Sequence, residues 1–229
     1  MFFYVIPDFQ NPSGMVLSEE KRQRIVRLAR AYNFWVIEDS PYRRLRYRGE
    51  EVPSLLDLAP DRVLHMSSYS KLISPGLRVG YVVAPEPLAG RLAEMAEDTY
   101  INASYLNQAI VAEFIRRDWL DSQIKALKDL YEPRLYATLN ALEEQMGGLA
   151  TWRRPDGGFF VGVTVDGEVD TDALLSEARD RDLILTDGRN FFNERKNGSS
   201  FVRLPFCALT AQEIEEGVRR LAGAVRAVR

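Results

Sequence analysis

The chain has 229 residues and a formal net charge of −3, with 28% charged and 46% hydrophobic residues. This length allows one large domain or two modest ones, at roughly 150 residues per domain, and the charges are interleaved without the clustered basic face typical of nucleic-acid binding. The single cysteine, Cys207, excludes a disulfide framework and favours a reducing, cytoplasmic location. No apolar run approaches the roughly 20 residues of a membrane span, and we expect no secretory signal at the start.

The first part of the chain predicts strands alternating with a helix. Residues 2–6 form the first predicted strand, Ser18 caps the helix that follows, and residues 34–37 form the next strand. This strand–helix–strand order predicts parallel pairing of the two strands. Further strands are predicted at 62–66 and 79–83. One face of the helix is expected to carry its apolar side chains, which are Ile25, Leu28, Ala29 and Tyr32.

The second part of the chain predicts long helices and then shorter mixed elements. Residues 88–119 are mostly helical with a break near 102–104, and residues 121–146 form a long helix that contains Pro133. The remaining elements are a strand at 159–165, a helix at 171–180, strands at 183–186 and 201–204, and a final helix capped by Thr210.

The order of these elements predicts an α/β fold class. A mostly parallel sheet with helices comes first, and a smaller α+β domain follows it. We predict a large domain at 1–118, a connecting helix at 119–148 and a small C-terminal domain at 149–229.

A lysine among hydroxyls follows the predicted strand at 62–66. Lys71 comes just after Ser68 and Ser70, and a Pro-Gly pair reverses the chain before Arg78. A lysine amine becomes a nucleophile once burial or a nearby cation favours its neutral form, and hydroxyls with a guanidinium bind phosphate oxygens. The pattern therefore predicts a covalent bond from Lys71 to an aldehyde cofactor whose phosphate binds beside it. The alternative is a surface lysine in a polar turn.

Three further polar residues follow the first two predicted strands. Asp39 comes just beyond residues 34–37, and a carboxylate there would hold a ring nitrogen protonated and turn the ring into an electron sink. The phenol of Tyr42 would reach a ring oxygen. Asn11 lies in the loop after the first strand, at the same edge of the sheet. The alternatives are a turn-capping Asp39, a Tyr42 packed on the sheet and a plain Asn-Pro turn.

The other candidate groups predict structural roles. His65 is the only histidine and lies in an apolar strand, so we interpret it as a core or supporting residue rather than a catalytic base. Gly157-Gly158 precedes a strand and predicts a tight bend, since no GxGxxG pattern is present. No Cys/His cluster has the spacing of a metal site.

Taken together, the motifs resemble those of the pyridoxal-phosphate-dependent aminotransferases of fold type I, class I/II. Asn-Pro-x-Gly, Asp-x-x-Tyr and Ser-x-Ser-Lys…Pro-Gly-Leu-Arg occur in the order and at the separations of that family. The nearest branch holds 2-aminoadipate and kynurenine aminotransferases and the aminotransferase-like domains of MocR regulators. The resemblance covers essentially all of the chain.

The resemblance implies a role for each matched residue. Lys71 would bond to the aldehyde of pyridoxal 5'-phosphate and move a proton during the reaction. Arg203 matches the arginine that grips the substrate α-carboxylate, and as a cation inside an apolar strand it requires an anionic partner. For the cofactor ring, the resemblance implies that Asp39 contacts the pyridine nitrogen and that Asn11 and Tyr42 contact the ring oxygen O3'. For the phosphate, it implies contacts from Ser68, Ser70 and Arg78. Asn11 would also contact the substrate.

The implied activity is exchange of an amino group between an amino acid and a 2-oxo acid, in a family of homodimers. Family members carry a long further segment ahead of the matched region, so this chain resembles their C-terminal portion. The alternatives are a non-catalytic remnant, the effector domain of a MocR-type regulator, or another type I reaction such as β-elimination. We expect no membrane or nucleic-acid partner for this segment, and its exposed sheet edges predict self-association.

Overall fold

The computed structural model describes all 229 residues and divides them into two compact units. The first unit comprises Met1–Asp8 and Val16–Lys128, and the second comprises Phe9–Met15 and Asp129–Arg229. The division into a large domain, a connecting helix and a small domain stays a prediction. In the structure the short loop Phe9–Met15 belongs to the second unit.

The sheet of the first unit has four strands in sequential order. They are β1 (Phe2–Val5), β2 (Trp35–Asp39), β3 (Val63–Ser68) and β4 (Gly80–Val83). β1 pairs parallel with β2 and β2 with β3, whereas β4 runs antiparallel to β3. The predicted α/β fold class is confirmed, and so is the parallel strand–helix–strand unit at the start of the chain.

Four helices belong to the first unit: α1 (Glu19–Ala31), α2 (Leu55–Leu58), α3 (Glu86–Tyr100) and α4 (Tyr105–Arg116). The hydroxyl of Ser18 accepts a hydrogen bond from the backbone of Lys21, as predicted for the N-cap of α1. The core brings α1 and α2 together with β2 and β3, through Val26, Ala29, Val36, Leu55, Ala59 and Val63.

The apolar face predicted for α1 is partly wrong. Leu28 and Tyr32 are 39% and 70% exposed, whereas Arg22 and Val26 are buried. The cause is electrostatic, because Arg22 donates to both carboxylate oxygens of Asp8, at 2.8 and 3.2 Å. This ion pair compensates the charge of the arginine and so permits Arg22 to lie on the buried side of the helix.

The helices after β4 agree with the sequence pattern. α3 and α4 are separated at residues 101–104, where Ile101 has a positive φ of 65°, and this confirms the predicted break. The long helix α5 (Trp119–Met146) contains Pro133, and the boundary between the two units lies within it. None of these helices combines the length and the apolar character needed to cross a membrane.

The second unit contains the C-terminal part of α5, a three-stranded antiparallel sheet and two further helices. The elements are β5 (Ala150–Trp152), β6 (Phe160–Val165), α6 (Thr171–Asp180), β7 (Phe201–Pro205) and α7 (Ala211–Ala227), with the strands in the order β5-β6-β7. Alternate residues of β6 are fully buried, namely Val161, Val163 and Val165. One face of this sheet therefore packs into the core, and the other face carries the partly exposed residues Phe160, Gly162 and Thr164.

Two sequence expectations differ in this unit. The strand predicted at 183–186 is wrong, since this segment is irregular and Ile184 is 91% exposed. Apolar residues at 183–185 favour a strand locally, but the sheet of this unit consists of β5, β6 and β7 alone, so this segment has no strand to pair with. β5 was not predicted, because three residues are too few to show an alternating pattern.

Candidate functional site

Asp39 lies at the carboxyl end of β2 and accepts a hydrogen bond from a tyrosine. The hydroxyl of Tyr4 donates to Asp39 Oδ2 at 2.5 Å. Tyr4 pairs with Ile37, two residues before Asp39, so both side chains project from the same face of the sheet. Burial first, and then the bond to Asp39 and its negative charge, raise the pKa of Tyr4, and the buried Tyr42 adds to this effect.

Lys71 lies directly after the end of β3. The strand stops at Ser68, and a single 3-10 turn follows over Tyr69–Lys71. The Ser68 hydroxyl caps this turn, because it accepts from the backbone of Ser70 at 3.1 Å and donates to the carbonyl of Val79 at 3.2 Å. Lys71 is half-buried. The turn thus holds an amine at the edge of the sheet, next to the strand that carries Asp39.

Arg78 returns to the same turn through a second 3-10 turn, Pro75–Leu77. Arg78 has a positive φ of 53°, the left-handed conformation that closes the reversal. Its Nη1 donates to Ser70 Oγ at 3.3 Å, and the backbone of Tyr69 donates to the carbonyl of Val79 at 3.0 Å. A guanidinium, a serine hydroxyl and a lysine amine therefore lie within one short segment.

Arg203 occupies β7 in the second unit, opposite Gly162 of β6. Its Nη1 donates to Asn11 Oδ1 at 2.9 Å. The guanidinium carbon lies 4.7 Å from the ring centre of Phe160 and 4.9 Å from that of Phe191, so two aromatic rings hold the cation. The Nε atom is buried and has no hydrogen-bond partner. This buried donor is therefore unsatisfied within the chain.

Glycines hold the loop of Asn11 close to β6. Gly14 has a φ of 70°, and a Cβ there would lie 2.4 Å from the carbonyl oxygen of Phe160. Gly158 has a φ of 75°, and a Cβ there would lie 2.4 Å from Cβ of Phe9. Only residues without a side chain permit this close approach. The predicted tight bend at Gly158 agrees with this geometry, and the loop brings Asn11 to Arg203.

An ionic network anchors the segment that carries Phe191. Arg189 donates to both oxygens of Asp187 and to both oxygens of Asp172, with its shortest contacts at 2.9 and 2.6 Å. These hydrogen bonds lower the pKa of each aspartate and raise the pKa of Arg189. The 3-10 turn Gly188–Phe191 is thereby fixed, and with it the ring over the guanidinium.

The structure groups the predicted site residues by unit. Those of the first unit are Asp39, Tyr42, Ser68, Ser70, Lys71 and Arg78, and those of the second are Asn11 and Arg203. Three residues that contact them were not anticipated from the sequence: Tyr4, Phe160 and Phe191. For Tyr4, the alternation of β1 beside β2 was an available signal. For the two phenylalanines no local signal exists, because their contacts depend on tertiary packing.

The comparisons with known proteins agree with these motifs. Residues 4–221 match the family described as aminotransferase class I and II, so this chain belongs to that family. It is 35% identical over 225 residues to aromatic-amino-acid aminotransferase 1 of Thermococcus litoralis, covering 97% of this chain and 54% of that protein. It is 31% identical over 226 residues to the uncharacterized HTH-type transcriptional regulator YisV of Bacillus subtilis, covering 97% and 46%.

A solved structure shows the same fold. The kynurenine aminotransferase of Pyrococcus horikoshii, in complex with PMP, superposes with a TM-score of 0.95 at 30% identity, over 99% of this chain and 56% of that one. The chain thus spans about half the length of the aminotransferases it matches. The predicted family is confirmed, and its members depend on pyridoxal 5'-phosphate.

The residues present fit this cofactor in charge and chemistry. Asp39 already accepts a hydrogen bond from an O–H donor, as it would from a protonated ring nitrogen. Ser70 and Arg78 lie in contact and supply donors for a phosphate, beside the Lys71 amine. The donor set therefore suits an anionic, aldehyde-bearing heterocycle.

Proposed function

We propose that this chain carries the lysine and the carboxylate-binding arginine of a pyridoxal-phosphate-dependent aminotransferase. The reaction would exchange an amino group between an amino acid and a 2-oxo acid. The family membership and the motifs around Lys71 and Asp39 support this proposal. Because the chain spans about half of its relatives, it would act as a segment of a longer catalytic unit.

The observation that carries the proposal is the environment of Arg203. A guanidinium held between two aromatic rings, with Nη1 on Asn11 and Nε without a partner, has one polar edge left to bind. Nε and Nη2 lie side by side on that edge and match the two oxygens of a carboxylate. Every amino acid and every 2-oxo acid carries such a group, so this arginine suits both substrates of a transamination.

The first unit would supply the groups that act on the cofactor. When bound, pyridoxal phosphate supplies an electron sink for negative charge at the substrate Cα. Asp39 would keep a proton on the ring nitrogen, and Ser70 with Arg78 would hold the phosphate. The Nζ atom of Lys71 would take the proton from the substrate Cα and return it as general base and acid.

The proposal is tested by adding pyridoxal phosphate to the whole chain and recording its visible absorption. We expect uptake that borohydride traps in the wild type and in Lys21→Ala, a control lysine on the exposed side of α1, but not in Lys71→Ala. Arg203→Lys should retain cofactor uptake but weaken the response of the spectrum to added amino acids about tenfold or more. Equal uptake by the Lys71→Ala variant would overturn the proposal.

A second candidate function follows from the similarity to the regulator of Bacillus subtilis. An effector domain would take up the cofactor and bind an amino acid without producing a 2-oxo acid. The two functions are separated by measuring 2-oxo acid formation under the conditions that alter the spectrum. A β-elimination would release ammonia into solution, whereas a transamination keeps the nitrogen on the cofactor.

The assembly and location of the protein are further parts of the proposal. We propose homodimers for the full-length aminotransferases of this type, with amino acids and 2-oxo acids as their substrates. A cytoplasmic location is supported by the single cysteine, Cys207, which has no second cysteine in the chain with which to form a disulfide.

A further inference from the structure

A buried hydrogen-bonded pair lies behind Asp39, on the opposite face of the sheet. Glu38 of β2 is fully buried, and its Oε2 lies 2.9 Å from Nδ1 of His65 in β3. Since a carboxylate only accepts hydrogen bonds, Nδ1 of His65 carries the proton in this contact. The two residues are direct partners in the register of β2 with β3.

The same carboxylate also binds a helix. Glu38 Oε1 accepts from the backbone of Leu55 at 2.8 Å, and Oε2 accepts from the backbone of Leu56 at 3.1 Å. These amides form the first turn of α2, which has no earlier turn to satisfy them. One buried side chain therefore joins β2, β3 and α2 through three hydrogen bonds. Without these donors, a buried carboxylate would be strongly unfavourable.

Asp39 lies between two anchored neighbours. The residue before it in the chain, Glu38, contacts His65. The residue after it, Ser40, donates a backbone hydrogen bond to the carbonyl of Met66 at 2.8 Å. Because successive side chains of a strand point to opposite faces, fixing the side chain of residue 38 fixes the direction of the next one. A register shift of one residue would turn Asp39 to the wrong face.

The same contacts fix β3, the strand that leads into the Lys71 turn. His65 lies three residues before Ser68, where the strand ends, and six before the lysine. Its ring also lies 6.2 Å, centre to centre, from the ring of Tyr81 in β4. A hydrogen-bonded side-chain pair that includes neither Asp39 nor Lys71 therefore joins the two strands that carry them.

We propose that Glu38 and His65 are positioning residues, which hold Asp39 in register with the Ser68–Lys71 segment so that both can bind one cofactor. This inference rests on the proposed function for its consequence, because the groups positioned are those assigned to pyridoxal phosphate. The structural part of the inference is that Glu38 and His65 hold the Ser68–Lys71 segment in place, and this part does not depend on the cofactor. A displacement of about 1 Å at a positioned group can cost about 100-fold in function.

Variants at His65 separate the hydrogen bond from the volume of the side chain. His65→Leu removes the donor, whereas His65→Asn places an amide N–H close to the position of Nδ1 and should retain the bond. Glu38→Gln leaves one acceptor for three donors. The matched control is Asp61→Asn, which removes an exposed ion pair to Arg30 of comparable length, 2.7 Å, in the same unit.

Two readouts are measured on the full chain: hydrogen–deuterium exchange without cofactor, and the dissociation constant of pyridoxal phosphate from its visible absorption. In His65→Leu and Glu38→Gln we expect at least tenfold faster exchange, both at Leu55 and Leu56 and at residues 67–71. We also expect at least tenfold weaker cofactor binding. His65→Asn should recover most of both losses, and Asp61→Asn should change neither.

Faster exchange confined to α2, with residues 67–71 and cofactor binding unchanged, would overturn the inference, as would equal losses in His65→Asn and His65→Leu. If His65→Leu does not fold, His65→Gln replaces it, since its longer amide lies away from the Nδ1 position. A wild-type chain that takes up no cofactor would refute the proposed function. The exchange at residues 67–71 would then decide whether the pair positions the Lys71 turn.

Discussion

The hydroxyl of Tyr4 donates a 2.5 Å hydrogen bond to Asp39, across the parallel pair β1 and β2. This contact occupies a carboxylate oxygen on the face of the sheet that we assign to the cofactor. Partial burial of the Tyr4 side chain, followed by the bond to Asp39, raises the pKa of Tyr4 above its ordinary value of 10.0. The phenol is thus held in its neutral, donating form.

The raised pKa of Tyr4 predicts a loss of stability in strong alkali. In the folded chain Tyr4 keeps its proton at a pH where the unfolded chain has lost it, so the folded state binds more protons and stability falls as pH rises. The contribution is fully present below pH 10 and is lost from there up to the folded pKa. Urea unfolding between pH 8 and pH 11 should show a steeper decline for wild type than for Tyr4→Phe. If the stabilities of wild type and Tyr4→Phe declined in parallel with pH, the raised pKa of Tyr4 would be contradicted.

The Asp8–Arg22 pair should contribute strongly to the stability of the first unit. Both side chains are buried, and Arg22 also donates to the carbonyls of Pro7, Leu17 and Pro53. Asp8→Asn would leave a buried guanidinium without its counter-charge, at a cost of about 3–5 kcal/mol in the free energy of unfolding. Urea titration measures the loss.

The exposed pair between Arg30 and Asp61 provides the control for this prediction. Its side chains are about half exposed, so water and salt screen their attraction. Asp61→Asn should leave the urea midpoint almost unchanged. Equal destabilisation by Asp8→Asn and Asp61→Asn would contradict the view that burial gives the first pair its importance.

The two outer strands of the first sheet should cause self-association. Every residue of β4 is exposed, including Val82, and the first three residues of β1 are exposed as well, including Phe3. Neither strand contains the lysine, proline or bulge that protects natural sheet edges. Sedimentation velocity should show concentration-dependent assembly, which Phe3→Lys and Val82→Lys reduce. Ile184→Lys, at a site 91% exposed in the second unit, should not reduce it. A wild-type chain that sediments only as a monomer would refute this prediction.

Two glycines of the second unit should respond in opposite ways to a methyl group. A Cβ at Gly188 would lie 1.8 Å from the backbone oxygen of Phe201, a clash that no side-chain movement relieves. Gly188→Ala should destabilise the chain by about 3 kcal/mol, at the upper end of the usual cost of overpacking. A Cβ at Gly217, inside α7, meets nothing within 4 Å, so Gly217→Ala should stabilise the chain by about 0.5–1 kcal/mol. Thermal unfolding of both variants tests the packing of the Phe191 segment, and the same sign for both would contradict it.

The sequence predicts best those features that local patterns encode. Asp39 and Lys71 could be placed at strand ends because strand–helix–strand order fixes the direction of β2 and β3. The Pro-Gly pair before Arg78 indicated the reversal that brings it to Ser70. The family followed from the same motifs, because they are specific as an ordered set.

Features that depend on tertiary contacts were not predictable in the same way. The contact of Glu38 with His65 joins residues 27 apart, and that of Arg203 with Asn11 joins residues 192 apart. His65 was interpreted as a core or supporting residue, but its partner was not identified. Arg22 was missed as a buried group because an arginine in an amphipathic helix ordinarily faces water, and only the position of Asp8 reverses that preference.

The covalent site of the cofactor tests the central claim most directly. The whole chain is incubated with pyridoxal phosphate, reduced with borohydride, digested and mapped by mass spectrometry, with Lys71→Ala treated in parallel. The account predicts that the phosphopyridoxyl group is found on the peptide that contains Lys71, and that the variant carries no comparable label. Labelling spread over surface lysines, or equal labelling of the variant, would contradict the account.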